Sequence, residues 1–131
     1  MTATKSFSVN IQARMEFVDI TGEVAKAVSA LGVKDGVVTV FVPHTTAGIT
    51  INENADPDVT ADMAVALDRM VPWKANYRHG EGNSAAHVKA SLMGSSVRVI
   101  IEGGQLQLGT WQAIYFCEFD GPRTREVWVS P

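Results

Sequence analysis

The sequence predicts an α+β fold: a mainly antiparallel β-sheet with about three helices, in a single domain spanning residues 1–131. Short strand-like runs, alternating or continuously apolar, recur from Ser6 to Val129. Three segments set apolar residues at helical spacing between capping residues, and the last third of the chain is a series of strand-like runs joined by tight turns. A length of 131 residues suits one domain that can bury most of its core.

Ser6 to Gln12 alternates polar and apolar residues, as a strand with one wet face does. Val24, Ala27, Val28 and Leu31 follow the i, i+3, i+4, i+7 spacing of a helix that Asp19 or Thr21 can cap and Gly32 can end. After the turn Lys34-Asp35-Gly36, the run Val37 to Val42 is too apolar and β-branched for a sheet edge and reads as a central strand. Ala47 to Asn52 alternates again. Asp56-Pro57-Asp58-Val59 then reads as N-cap, N1, N2 and N3 of a second helix, with Val59, Met63, Leu67, Met70 and Val71 on one side and Pro72 at its end. Trp73 to Gly82 has no clear period and reads as an ordered loop. Asn83 or Ser84 can cap a third helix through His87, Lys89 and Leu92, closed by Gly94. The runs Ser96 to Ile101, Leu106 to Leu108, Trp111 to Phe116 and Glu126 to Val129 complete about seven strands, the last four in meander order.

A net charge of −3 and a pI near 5.5 supply no basic field for a nucleic-acid backbone, so polymeric nucleic acid is not an expected partner. Met1 to Ser6 lacks the apolar core of a signal peptide, and no apolar run approaches the ~20 residues that cross a bilayer. The expectation is a cytoplasmic protein with no membrane partner. Cys117, the single cysteine, lies in an apolar strand-like run and reads as a buried, inert thiol.

Polar chemistry concentrates in two places. Pro43 to Asp58 follows the central strand and carries His44, Thr45, Thr46, Asn52, Glu53, Asp56 and Asp58. Asp56 and Asp58 are explained by the helix start, whereas Glu53 is not, which makes it the first candidate for a functional acid. Thr45 and Thr46 lack a nucleophile elbow and suit hydrogen bonding to a ligand. The second place is Arg78-His79-Gly80-Glu81-Gly82-Asn83-Ser84, a glycine-containing loop leading into a helix, where backbone N–H groups with Arg78 or His79 can hold an anion and Glu81 can serve a metal or a proton transfer. If that loop folds over the end of the central strand, His44, His79 and His87 can converge with Glu53, Glu81 or Asp56 as a metal site, although no two of them have the i, i+4 spacing of a helical zinc pair. Asp120-Gly121-Pro122-Arg123 is a well-formed turn, and Arg123 or Arg125 can reach an anion or pair with a carboxylate, with a solvated surface arginine the plainer reading of each alone.

His44-Thr45-Thr46-Ala47, Asn52-Glu53-Asn54 with Asp56-Pro57-Asp58, Arg78-His79 through Glu81-Gly82-Asn83, Ala86-His87 with Lys89, Leu108 to Gln112 and Phe119 to Arg123 together resemble the YjbQ-like family. Its members are described as secondary thiamine-phosphate synthases or left uncharacterised. Gly48 stands where many members have another residue, and Gly80 where many have Asn. The resemblance implies a homotrimer with clefts near the subunit boundaries. It also implies a weak transferase activity, in which hydroxymethylpyrimidine pyrophosphate loses pyrophosphate and is captured by a thiazole phosphate. Carried onto this chain, it makes Glu53, His44, His79 and Glu81 the candidate catalytic residues. His44, His79 and His87 become candidate ligands of a divalent metal, zinc or magnesium. Thr45, Thr46, Asn52, Gly82, Asn83 and Arg123 become candidate contacts to a small phosphorylated metabolite. Two other classes stay open: a His-metal hydrolase of such a metabolite, and a metabolite-binding trimer without turnover.

Overall fold

The computed structural model describes residues 4–131. Residues 1–3, part of the N-terminal stretch read above and of the 1–131 domain range, lie outside the described residues. The strands are β1 (Lys5–Asn10), β2 (Glu16–Asp19), β3 (Gly36–Phe41), β4 (Ala47–Glu53), β5 (Ser96–Glu102), β6 (Gln105–Gln107), β7 (Gln112–Glu118) and β8 (Thr124–Ser130). The helices are α1 (Thr21–Leu31), α2 (Pro57–Met70) and α3 (Ser84–Met93). Three helices and antiparallel strands match the predicted class. No helix among the described residues is long and apolar enough to cross a membrane.

The strands form two sheets, ordered β1-β8-β3-β5-β6 and β2-β7-β4, and every pairing is antiparallel. β3 is central, as its unbroken apolar run requires. The expected meander of the last four strands is not formed: β5 and β6 are a hairpin, but β7 and β8 belong to different sheets. The reason is in β7. Ile114 and Phe116 face a core shared with Val24 and Val28 of α1, Val38 and Val40 of β3, and Val127 and Val129 of β8. Ala113, Tyr115 and Cys117 face a second core with Leu67 of α2 and Ala86 and Ala90 of α3. A strand apolar on both sides needs cover on both, so it lies between the larger sheet and the α2–α3 layer. Burial pushes the Cys117 thiol up to about 12, which keeps it protonated and inert.

Local chemistry sets the helix ends. α2 starts as its sequence dictates, with Asp56 at the N-cap accepting from Asp58 N at 2.9 Å and Pro57 in the first turn. Of its predicted apolar side, Leu67 and Val71 are buried, whereas Met70 is 66% exposed. The N-cap of α1 is Ile20 and not Asp19 or Thr21; the Asp19 carboxylate still accepts from Thr21 N at 2.9 Å. β2 was not expected, being four residues without a clean alternation. Lys89 of α3 is 2% exposed and donates to Asp68 of α2 at 2.5 Å, which clamps the two helices.

Gly48 of β4 permits the end of α3 to pack close against the strand. A Cβ built there would lie 2.7 Å from Gly94 O and 2.8 Å from Met93 Cβ, at the end of α3. Gly48→Ala should therefore destabilise the fold by about 1–3 kcal/mol, read as a lowered denaturation midpoint, unless α3 withdraws. An unchanged midpoint with α3 in place would refute this packing.

Candidate functional site

Pro43 ends the β3 segment and turns the chain toward β4, leaving His44, Thr45 and Thr46 at the rim between the two sheets. The loop 78–83 and the first turn of α3 close over the same rim, bringing His79, Glu81, Asn83 and His87 opposite His44. The β7–β8 connection supplies Asp120, Arg123 and Arg125. Together they line a cavity of about 440 Å³, which continues past His44, Thr45 and His87 into a second hollow of about 530 Å³ floored by Ala90 and Ser91. The three histidines, up to 43 positions apart in the chain (44 to 87), thus meet at one place. The rings of His79 and His87 pack edge to face with centroids 5.5 Å apart, and His79 Nε2 lies 3.7 Å from Glu81 Oε1.

His44 is held by backbone. Its Nε2 accepts the N–H of Glu126, in β8, at 2.9 Å. Burial is the main cause that lowers its pKa, with Arg125 adding to it, so the ring is neutral at pH 7. A neutral imidazole whose Nε2 lone pair accepts must carry its proton on Nδ1, so His44 offers an N–H donor and not a base. Protonation would oppose the Glu126 N–H against a second donor. The depressed pKa makes the sign of the linkage clear: the contribution is present above about pH 6.5, the ordinary histidine value, and is lost as pH falls through the lower folded-state value. In His44→Gln, whose carboxamide oxygen can still accept from Glu126, the stability difference between pH 7 and pH 5 should shrink. An unchanged difference would show that His44 does not titrate with folding.

Beneath the cavity lies a buried ion pair: Arg125 does pair with a carboxylate, but the pair it makes with Glu118 is sealed in the interior and not a solvated surface contact. Arg125, 4% exposed, donates to both carboxylate oxygens of Glu118, at 2.6 and 2.5 Å, and to Thr46 Oγ1 at 2.7 Å; Glu118 is fully buried. The second Glu118 oxygen also accepts Asp120 N at 2.8 Å. Thr46 is thereby fixed as a partner of Arg125. Gly121 lets this corner close, since a Cβ there would overlap the Ala13 carbonyl oxygen. Asp120 accepts from Asn83 Nδ2 at 2.9 Å and from Arg123 at 3.3 Å, tying the start of α3 to the β7–β8 connection. Asn83 is the N-cap residue of α3, but its side chain makes no cap bond. The signal that could have marked the pair as buried is a charged residue on the apolar side of each strand: Glu118 ends the continuously buried run of β7, and Arg125 alternates with Val127 and Val129 on the buried side of β8.

Of the residues singled out in the sequence, His44, Thr45, Thr46, His79, Glu81, Asn83, His87 and Arg123 line the cavity. Gly82 lies in the loop below it, with φ at 76° and its N–H bonded to His79 O. Asn52 and Glu53 do not line it: they end β4, about 20 Å along the strand from Ala47. There Asn52 Oδ1 accepts Glu53 N, and Tyr115 donates its hydroxyl to Glu53 O at 3.1 Å. Asp56 is likewise absent from the cavity lining and is taken by its helix cap. Among the described residues, no three His, Cys, Asp or Glu side chains are grouped to hold one metal ion. His44 contributes to that outcome, its Nε2 being engaged by Glu126. The histidines as arranged do not make the three-ligand cage zinc requires.

The model of the UPF0047 protein YjbQ-like family matches residues 5–131. The UPF0047 protein YugU of Bacillus subtilis is 52% identical over 127 residues, covering 96% of each chain. A UPF0047 protein of Methanocaldococcus jannaschii is 52% identical over 124 residues, covering 95% of this chain and 90% of its own. Among solved structures, an uncharacterized conserved protein of the same family from Clostridium acetobutylicum superposes with a TM-score of 0.94 at 60% identity, covering 96% of this chain and 98% of its own. A protein of unknown function from Sulfolobus solfataricus gives 0.91 at 31% identity, covering 96% and 93%. With the family model spanning nearly the whole sequence and relatives above half identity, the chain belongs to the YjbQ-like UPF0047 family.

Proposed function

We propose that the protein binds a small phosphorylated metabolite in the His44–Arg123 cavity and assists departure of its pyrophosphate. The observation that carries this is the meeting of Arg123, three histidines and the start of α3 at one polar cavity. Arg125 is neutralised by Glu118, so among the described residues that line the cavity Arg123, held by one 3.3 Å contact to Asp120, is the arginine placed to face a ligand, beside the carboxylates of Glu81 and Asp120. The Arg123 guanidinium and the Nδ1 proton of His44 suit charge building on a leaving oxygen.

Thiamine-phosphate synthesis is the first reaction to try. The pyrimidine methylene C–O bond breaks with its electron pair leaving on pyrophosphate, and the thiazole nitrogen forms the new C–N bond. Of the two ions in question, magnesium fits better than zinc, because it takes one or two protein carboxylates and fills its shell with phosphate and water. Glu81, whose side chain is 74% exposed at the cavity, is the carboxylate that would hold it. We place the protein in the cytoplasm as a homotrimer.

The test is thiamine-phosphate formation and pyrophosphate binding by purified protein with magnesium, beside His79→Gln. Turnover that falls in the variant supports the reading. Failure of the wild type to bind pyrophosphate or any phosphate ester would end it, and phosphate release without coupling would favour a hydrolase. Glu53→Gln should leave pyrophosphate affinity within about twofold, since Glu53 lies outside the cavity of its own chain. A larger loss would mean that a neighbouring copy brings Glu53 in. The position of Glu53 favours one second reading, metabolite binding without turnover, which predicts ligand-dependent stabilisation and no product.

A further inference from the structure

The two carboxylate oxygens of Asp120 are used unequally. Oδ2 accepts from Asn83 Nδ2 at 2.9 Å and from Arg123 at 3.3 Å, and the Asp120 N–H donates to Glu118 Oε2 at 2.8 Å, so the start of α3, Arg123 and the buried ion pair all fix the residue. Oδ1 accepts from no described residue, and it is not sealed as Asn83 Oδ1 is. The side chain is 18% exposed and lines the cavity beside Arg123, whose own side chain is 49% exposed with one nitrogen engaged. The cavity thus holds, next to one another, N–H groups that can only donate and a carboxylate oxygen that can only accept. Such an oxygen repels a bare oxyanion oxygen but forms a hydrogen bond with one that carries a proton.

We propose that Asp120 Oδ1 is a specificity-determining acceptor for a P–OH group, and that the cavity takes terminal phosphate or pyrophosphate groups in their proton-bearing form while rejecting sulfates and phosphodiesters, which have no such proton. This rests on the phosphate-binding reading above and narrows its ligand class. Arg123 and the Nδ1 proton of His44 address the unprotonated oxygens, and Asp120 addresses the protonated one. An oxyanion of the same size and charge but without the proton would meet Asp120 Oδ1 as a like charge and lose affinity.

Inorganic oxyanions isolate the effect. In mildly alkaline solution phosphate and sulfate are both tetrahedral dianions of nearly one size, and they differ by a single proton. The wild-type protein is titrated by calorimetry, in buffer free of divalent cations, with phosphate against sulfate, with arsenate against selenate, and with pyrophosphate. Phosphate should bind at least about tenfold more tightly than sulfate, and arsenate than selenate. In Asp120→Asn the amide oxygen can still accept from Asn83 and Arg123, while its Nδ2 stands in place of Oδ1 and donates. Sulfate should therefore gain affinity and the preference should fall to near parity, a gain that damage to the site would not produce. Equal binding within either pair by the wild type overturns the proposal and leaves the anion-binding reading standing. A preference retained in Asp120→Asn also overturns it. Binding of none of the anions, pyrophosphate included, removes both readings together. The two wild-type comparisons decide the preference by themselves should Asp120→Asn fail to fold.

Discussion

Glu118→Gln should lower the melting temperature by an amount on the order of 10–20 °C, one of the largest effects expected of any single substitution in this chain. Glu118 and Arg125 are 0% and 4% exposed, and their two hydrogen bonds measure 2.6 and 2.5 Å. Removing the carboxylate charge leaves a guanidinium in the interior with only the Thr46 hydroxyl and a neutral amide beside it. Breaking a buried pair in this way costs about 3–5 kcal/mol, out of the roughly 5–15 kcal/mol by which domains of this size are stable. Thermal melts of the wild type, Glu118→Gln and the double variant Glu118→Leu with Arg125→Leu separate the causes. The double variant should melt near the wild type, because an apolar pair needs no charge compensation. If Glu118→Gln melts within a few degrees of the wild type, water reaches Arg125 and the pair is not sealed.

Arg123→Ala should weaken pyrophosphate binding by about 10- to 100-fold while leaving the melting temperature nearly unchanged. Arg123 has a side chain 49% exposed and a single 3.3 Å contact to Asp120, a surface pair of little value to folding. Its contribution to a bound diphosphate is different in kind, since charge-assisted and bidentate bonds to phosphate oxygens are among the strongest polar contacts. Calorimetric titration of both proteins with pyrophosphate reads the effect. Equal affinities would move the anion elsewhere, with His79 and His87 the next groups to vary.

Much of the fold could be read from residue patterns. Asp56-Pro57 fixed the start of α2, and the unbroken apolar run 37–42 placed β3 inside a sheet. The division into two sheets could not be read. It depends on β7 being apolar on both faces, and a continuous run of that kind does not say which side faces a sheet and which faces helices. The site was legible as residue types, because all three histidines and Arg123 fall in the polar segments between the apolar runs. Its membership was not. Asn52 and Glu53 stand in the same polar stretch as His44, yet a seven-residue strand carries them to the opposite end of the sheet. That Arg125 could pair with a carboxylate was legible, but the choice of Glu118 and the burial of both were not, because the two residues stand seven positions apart on different sheets.

The place of β8 has a consequence for the order in which the molecule can be made. β8 follows every other element in the chain, yet it lies between β1 and β3, pairing Lys5 to Asn10 on one side and Thr39 to Phe41 on the other. As the chain leaves the ribosome, β1 waits for a neighbour through more than a hundred residues of synthesis, from Asn10 to Thr124. Arg125, and the Glu126 amide that seats His44, arrive with that same strand. The cavity therefore comes into being in the step that closes the sheet, and a nascent chain lacking β8 has neither.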